Sequence, residues 1–106
     1  MNVNIKGTGI ELTPEIRDYL NKKLSALEKF VTDEDTGAMV NAEIGKTTNK
    51  HKSGMIFFTE LNFTIRKIDF RVKAFGDSLM ASMDKAKDLA LERLRTEKGK
   101  TASHQL

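Results

Sequence analysis

The chain has 106 residues and no cysteine, so disulfide cross-links, thiolate nucleophiles and cysteine-held metals are all excluded. That suits a reducing cytoplasm. No apolar run approaches the length of a bilayer span, and the opening "MNVNIKGTG" lacks the apolar block of a secretion signal. The expectation is a soluble, cytoplasmic protein with no membrane partner. Histidine is scarce: His51 lies in a polar stretch and His104 near the end, with no pair at metal-ligand spacing. No serine has a glycine two residues away on both sides, as a nucleophile elbow requires. "GKTT" at Gly45 fails as a phosphate-binding loop, because Val40 stands where that motif needs a glycine. Enzyme is therefore the weakest class, and no cofactor, metal or small-molecule substrate is expected.

What the chain does have is charge, unevenly spread. The net charge of +3 is mild. Residues 31–44 carry four carboxylates and no base, whereas residues 45–75 carry seven bases against two carboxylates, a net +5. An acidic turn followed by a basic hairpin suits a polyanion partner. The plain alternative is a charged surface that only keeps a small domain soluble.

The length allows one domain with one modest core, taken as residues 1–98 with a disordered tail over 99–106. "NVNIKG" alternates and reads as a first strand. Thr13 offers a cap and Pro14 a pre-set first helical residue, opening a helix over 14–30. "TDEDTG" is a turn, and "AMVNAEIG" a strand with Val40, Ala42 and Ile44 on one face. After the polar loop Gly45–Gly54, "MIFFTELNFTIR" sets Phe57, Leu61, Phe63 and Ile65 against Phe58, Glu60, Asn62 and Thr64. In "IDFRVKAF", Ile68, Phe70, Val72 and Ala74 face one way and Asp69, Arg71 and Lys73 the other. Gly76, Asp77 and Ser78 then lead into a helix to about Lys98, with Leu79, Met83, Ala86, Ala90 and Leu94 inward. The order β-α-β-β-β-α predicts an α+β two-layer sandwich. Both helices cover one face of a four-stranded mixed sheet, and Arg71 and Lys73 lie on the solvated face.

Two lysines break the helical pattern. Lys23 falls inside the apolar arc of Ile16, Tyr19, Leu20, Leu24, Leu27 and Phe30, and Lys87 projects between Met83 and Met80. Either their stems pack while the ammonium groups snorkel out, or both emerge along a seam between the helices. Such a seam, flanked by Lys29, Arg93 and Arg95, would follow a phosphate backbone. Lys22 lies on the exposed side of the first helix. A second kind of surface is also legible. Ile56 and Phe58 are alternate residues on the solvated face, a candidate docking site or weak homodimer seam without any ribosomal role.

The first thirty residues, "MNVNIKGTGIELTPEIRDYLNKKLSALEKF", resemble the opening of the ribosome hibernation-promoting factors. These are also called the sigma-54 modulation or ribosome-associated inhibitor family. The shared features are the short strand, "ELTPEIRDYL", the base at Lys23 and "LEKF" at the helix end. "LMASMDKAKDLALERL" is a looser match to the family's second helix, so the resemblance spans the chain in element order and its first third in motif. It implies a fold related to double-stranded RNA-binding domains. It also implies binding to the small ribosomal subunit and its 16S rRNA, in the channel of mRNA and tRNA, and inhibition of translation without covalent chemistry. Its RNA contacts map to Lys23 and Lys29 on the first helix and to Arg93, Arg95 and Lys98 on the second. Against the family pattern, Ala26 and Glu92 stand where bases are common, Leu89 where a lysine is usual and Met80 where an aromatic is typical. The bases of 45–75 can compensate by shifting contacts to the loop and hairpin; otherwise the departures imply weaker binding or another partner. Long members carry a further ribosome-dimerising domain, so ending at Leu106 implies that pairing of ribosomes would need another factor.

Overall fold

The computed structural model describes residues 1–31, 38–47, 56–65 and 67–104, the last eight of these as backbone only. The chain runs β1 (Asn2–Thr8), α1 (Pro14–Leu24), a 3-10 segment (Ser25–Phe30), β2 (Met39–Lys46), β3 (Phe57–Ile65), β4 (Ile68–Gly76) and α2 (Leu79–His104). Strand order in the sheet equals strand order in the chain. β1 and β2 are parallel, joined by the crossover through α1, and the other pairs are antiparallel. Side chains of both helices and the sheet share one core, so this is the two-layer sandwich with both helices on one face.

The helix starts follow the local chemistry. The Thr13 hydroxyl accepts the Ile16 N–H at 3.2 Å, with Pro14 in the first turn, and the Ser78 hydroxyl accepts the Ala81 N–H at 3.0 Å. The ends differ from expectation. The first helix leaves α-geometry at Ser25, whose hydroxyl donates to the Lys22 carbonyl at 2.6 Å and competes with the helical ladder. Leu27 and Phe30 are nevertheless buried, because the tighter segment keeps them on the core side. α2 runs to His104, so the boundary placed at Lys98 is no break in the helix. One interior glycine, Gly99, costs about 1 kcal/mol and does not stop a helix by itself.

Leu20, Leu24, Leu27, Ile44, Leu61 and Met83 are fully enclosed, each contributing roughly 1.5–3 kcal/mol by leaving water. Among them sit two polar residues that periodicity had not singled out. Thr59 and Ser82 are both 0% exposed, and their hydroxyls lie 2.8 Å apart. The Ser82 hydroxyl also donates to the Leu79 carbonyl at 2.7 Å, which leaves Thr59 as donor to Ser82. Ser82→Ala strands the Thr59 hydroxyl and should cost about 1–3 kcal/mol, read as a lower denaturation midpoint with unchanged slope. Adding Thr59→Val should recover most of that loss, since no buried group is then left unpaired.

The solvated face is built in cross-strand rows. One row is Asn4, Asn41, Asn62 and Arg71, and the next is Lys6, Glu43, Glu60 and Lys73. The last is Thr8, Gly45, Phe58 and Phe75. Phe58 corrects an expectation: it lies on this face but is only 6% exposed. Gly45 leaves room beside the ring, Phe75 flanks it, and the Lys73 ammonium stands 4.9 Å from the ring centroid. Ile56 is half-buried. The exposed apolar pair proposed as a docking or dimer seam is therefore not exposed as a pair. Met80, expected beside the core, is 56% exposed, and Leu91 turns inward as well as the expected stripe.

Candidate nucleic-acid interface

The seam between the helices contains Lys23, but its ammonium is already engaged. Lys23 Nζ lies 3.2 Å from Asp84 Oδ1 on α2 and 5.3 Å from the Tyr19 ring centroid. The Tyr19 hydroxyl donates to the same carboxylate at 2.7 Å. Tyr19 precedes Lys23 by one helical turn, so α1 offers Asp84 two donors from one face. The Tyr19 hydrogen bond, assisted by Lys23, holds the Asp84 carboxyl below the usual carboxylate range. The hydrogen bond to Asp84 raises both the Lys23 ammonium and the Tyr19 phenol above their ordinary values.

The signs fix a pH window. A depressed carboxyl adds stability above its unfolded value and loses it as pH falls through the folded one. A raised lysine adds stability that is full below its unfolded value and lost as pH rises through the folded one. The raised phenol likewise loses its contribution once the unfolded chain ionises. The cluster should therefore contribute evenly between about pH 5 and pH 9 and weaken at both ends. The melting-temperature gap between wild type and Asp84→Asn should close in acid; a gap that persists unchanged would assign it to something other than the ion pair.

Helix α2 turns its bases to two different sides. Lys87 and Arg93 are about 120° apart around the axis at 100° per residue, on opposite flanks of the apolar stripe. Half-buried Lys87 pairs with Asp88 at 2.8 Å. With Arg95, Leu91, Glu92 and Thr96 these two line an open depression of about 510 Å³. Arg93 lies instead with its guanidinium carbon 5.8 Å from the centroid of Phe70, on β4. It therefore does not flank the α1 seam. A second open groove, about 330 Å³, is lined by Arg71, Val72 and Lys73 of β4 and Leu89, Glu92, Arg93 and Thr96 of α2. Arg71 reaches Glu60 at 3.3 Å, and Lys73 caps the Phe58 and Phe75 rings at 4.9 and 5.4 Å.

The candidate bases thus do not form one surface. Lys22 and Lys29 are exposed on the first helix, Lys29 standing 5.5 Å from the Phe30 ring centroid. Arg71, Lys73 and Arg93 line one groove at the β4–α2 boundary, the first two with their charged ends over the solvated sheet face and Arg93 over Phe70, whereas Lys87 and Arg95 line the depression on the other flank of α2. The side chain of Lys98, and all of His51, lie outside the described residues. Sequence reasoning missed Asp84 and Tyr19, although Asp84 stands one turn before Lys87 and so shares its face. Among the described residues, no three His, Asp or Glu side chains are grouped to hold a metal, and no helix is long and apolar enough to cross a membrane.

Comparison with known proteins agrees with this architecture. The family model described as "Sigma 54 modulation protein / S30EA ribosomal protein" matches residues 3–102. The chain is 26% identical over 104 residues to a ribosome hibernation promoting factor of Klebsiella oxytoca, covering 98% of this chain and all of that one. It is 25% identical over 100 residues to the ribosome hibernation promotion factor of Bacillus subtilis, covering 94% of this chain but spanning only 50% of that protein's length. Among solved structures, the N-terminal domain of Thermus thermophilus Protein Y superposes with a TM-score of 0.73 at 25% identity, covering 91% of this chain and 98% of that one. A ribosomal subunit interface protein from Coxiella burnetii shares the fold, with a TM-score of 0.72 at 15% identity over 93% of this chain and 99% of that one.

Proposed function

The chain belongs to the sigma 54 modulation protein / S30EA ribosomal protein family, and from that premise we propose that it binds the small ribosomal subunit in the channel used by mRNA and tRNA. It touches 16S rRNA phosphates there and keeps idle ribosomes out of translation, acting in the cytoplasm without catalysis. The observation that carries this reading is a family match running through all four strands and nearly all of both helices, on a fold with bases on several faces. Phosphate contacts position a protein on RNA without reading sequence, which suits dispersed lysines and arginines. Exposed Lys22, Lys29 and Arg95 supply such contacts directly, with Arg71, Lys73, Arg93 and Lys98. Lys23 and Lys87 supply them only by exchanging a carboxylate for a phosphate, since each has an ion-pair partner of its own.

The test is sedimentation of the purified protein with isolated small subunits, alongside a translation reaction. Stoichiometric co-sedimentation and a dose-dependent fall in protein synthesis are expected. No co-sedimentation at low salt would overturn the reading. Lys23→Glu is a poor probe of RNA contact, because it sets a second carboxylate against Asp84 and disturbs the helix seam itself.

A further inference from the structure

One flank of α2, with the seam it shares with α1, is neutral although the chain is basic. It sets Lys23, Lys87 and Arg95 against Asp84, Asp88 and Glu92. Two of these bases are held directly, Lys23 Nζ at 3.2 Å from Asp84 Oδ1 and Lys87 Nζ at 2.8 Å from Asp88 Oδ1. Lys87 also stands one turn beyond Asp84 and adds to the positive field around that carboxylate. In both pairs the carboxylate is the outer partner. The lysine side chains are 32% and 22% exposed, against 45% for Asp84 and 69% for Asp88. An approaching anion therefore meets a carboxylate before it meets either ammonium.

We propose that Asp84 and Asp88 are built-in competitors for Lys23 and Lys87, holding the seam self-neutralised until a chain of phosphates displaces them, and that Asp88 limits how tightly the protein grips its polyanion. A tethered carboxylate faces its lysine at an effective concentration of about millimolar or above, so a lone phosphate ion competes poorly. A polyanion brings several phosphates at once and displaces both carboxylates together. The seam thus answers closely spaced phosphates and ignores single anions. Asp88 is the cleaner handle on this device. Its pair is exposed, and its removal leaves the Tyr19 hydrogen bond and the Lys23 ion pair on Asp84 in place. The identity of the polyanion as ribosomal RNA rests on the function proposed above; the masking does not.

The affinity of the full chain for inorganic polyphosphate, a short single-stranded RNA and small subunits is measured across a salt series. Asp88→Asn should tighten all three by about twofold to fivefold, the range in which exposed ion pairs fall. It should also steepen the salt dependence by about one unit of slope, since one more ammonium is free to meet a phosphate. In a Lys87→Gln background the same substitution should lose its effect, because no ammonium is left to release. Asp88→Glu keeps the charge and should bind as the wild type does. Orthophosphate at equal phosphate concentration should not compete with polyphosphate; equal competition would mean that the seam is open to single anions and would overturn the masking. If the wild type and Asp88→Asn differ as expected on polyphosphate and RNA but neither binds small subunits, the ribosomal reading falls and the masking stands. If subunits bind, but Asp88→Asn leaves affinity and slope unchanged or shifts them equally without Lys87, the masking falls and the ribosomal reading stands.

Discussion

Gly45→Ala is expected to destabilise the protein by about 3 kcal/mol or more, at or beyond the upper end of ordinary overpacking effects. Gly45 stands between Thr8 of β1 and Phe58 of β3. A Cβ there would land on the Thr8 carbonyl oxygen, with the Thr8 carbonyl carbon at 2.9 Å and Thr8 Cβ at 3.0 Å. The obstacle is mostly backbone, and Gly45 itself is held from its other side by the pairing of β2 with β3, so no side-chain rotation relieves the clash. Relief requires β1 to part from β2 at that end or Phe58 to lose its cover. Gly7→Ala is the matched control. Its Cβ would meet Leu12 Cγ at 2.9 Å and Cδ2 at 3.3 Å, with the Ile10 carbonyl oxygen at 3.4 Å, so the tightest contacts are with one side chain that can shift by rotation about χ1. Denaturant midpoints should therefore fall far more for position 45 than for position 7. Equal, small losses would mean that β1 does not approach β2 as closely as described.

Affinity for small subunits is expected to fall by about a thousandfold between roughly 50 and 200 mM salt if about six phosphates are engaged. The cause is counterion release: each cation that meets a phosphate frees condensed ions, and added salt opposes that release. The exposed bases Lys22, Lys29, Arg71, Lys73, Arg93 and Arg95 are enough to supply that number. An interface made of apolar side chains would barely respond to salt, and the burial of Phe58 removes the obvious candidate for one. A flat salt titration with tight binding would therefore contradict an electrostatic grip. Fluorescence anisotropy with labelled protein would measure it.

Much of the fold was legible because strand alternation and helix caps are local. Val40, Ala42 and Ile44 against Leu61, Phe63 and Ile65 fixed which strand faces turn inward, and Thr13 with Pro14 fixed where α1 begins. Less local features were missed. Ser25 diverts the end of the first helix through a single side-chain hydrogen bond, which no periodicity registers. Phe58 is covered by neighbours that pairing register supplies, with Gly45 of β2 and Phe75 of β4 directly opposite it on either side and Lys73 over its ring. The candidate interface was the hardest part to read. The angle of Lys23 around its helix was visible, but its partner Asp84 is 61 residues away and depends on how the helices sit side by side. Likewise, Arg71 and Arg93 become neighbours only when α2 lies along β4.

The row Asn4, Asn41, Asn62 and Arg71 crosses all four strands on the solvated face. Asparagine is a poor strand former, so this row adds little to the strength of the sheet. It makes alternative pairings costly. A slip of one residue would send a strand's amide into the core and an aliphatic residue into water, and the error would repeat at every other position of that strand. Lys6, on the open edge strand β1, adds a charge that discourages a second copy from continuing the sheet. The polar face thus acts as a safeguard against mispairing and edge-to-edge aggregation while the chain folds.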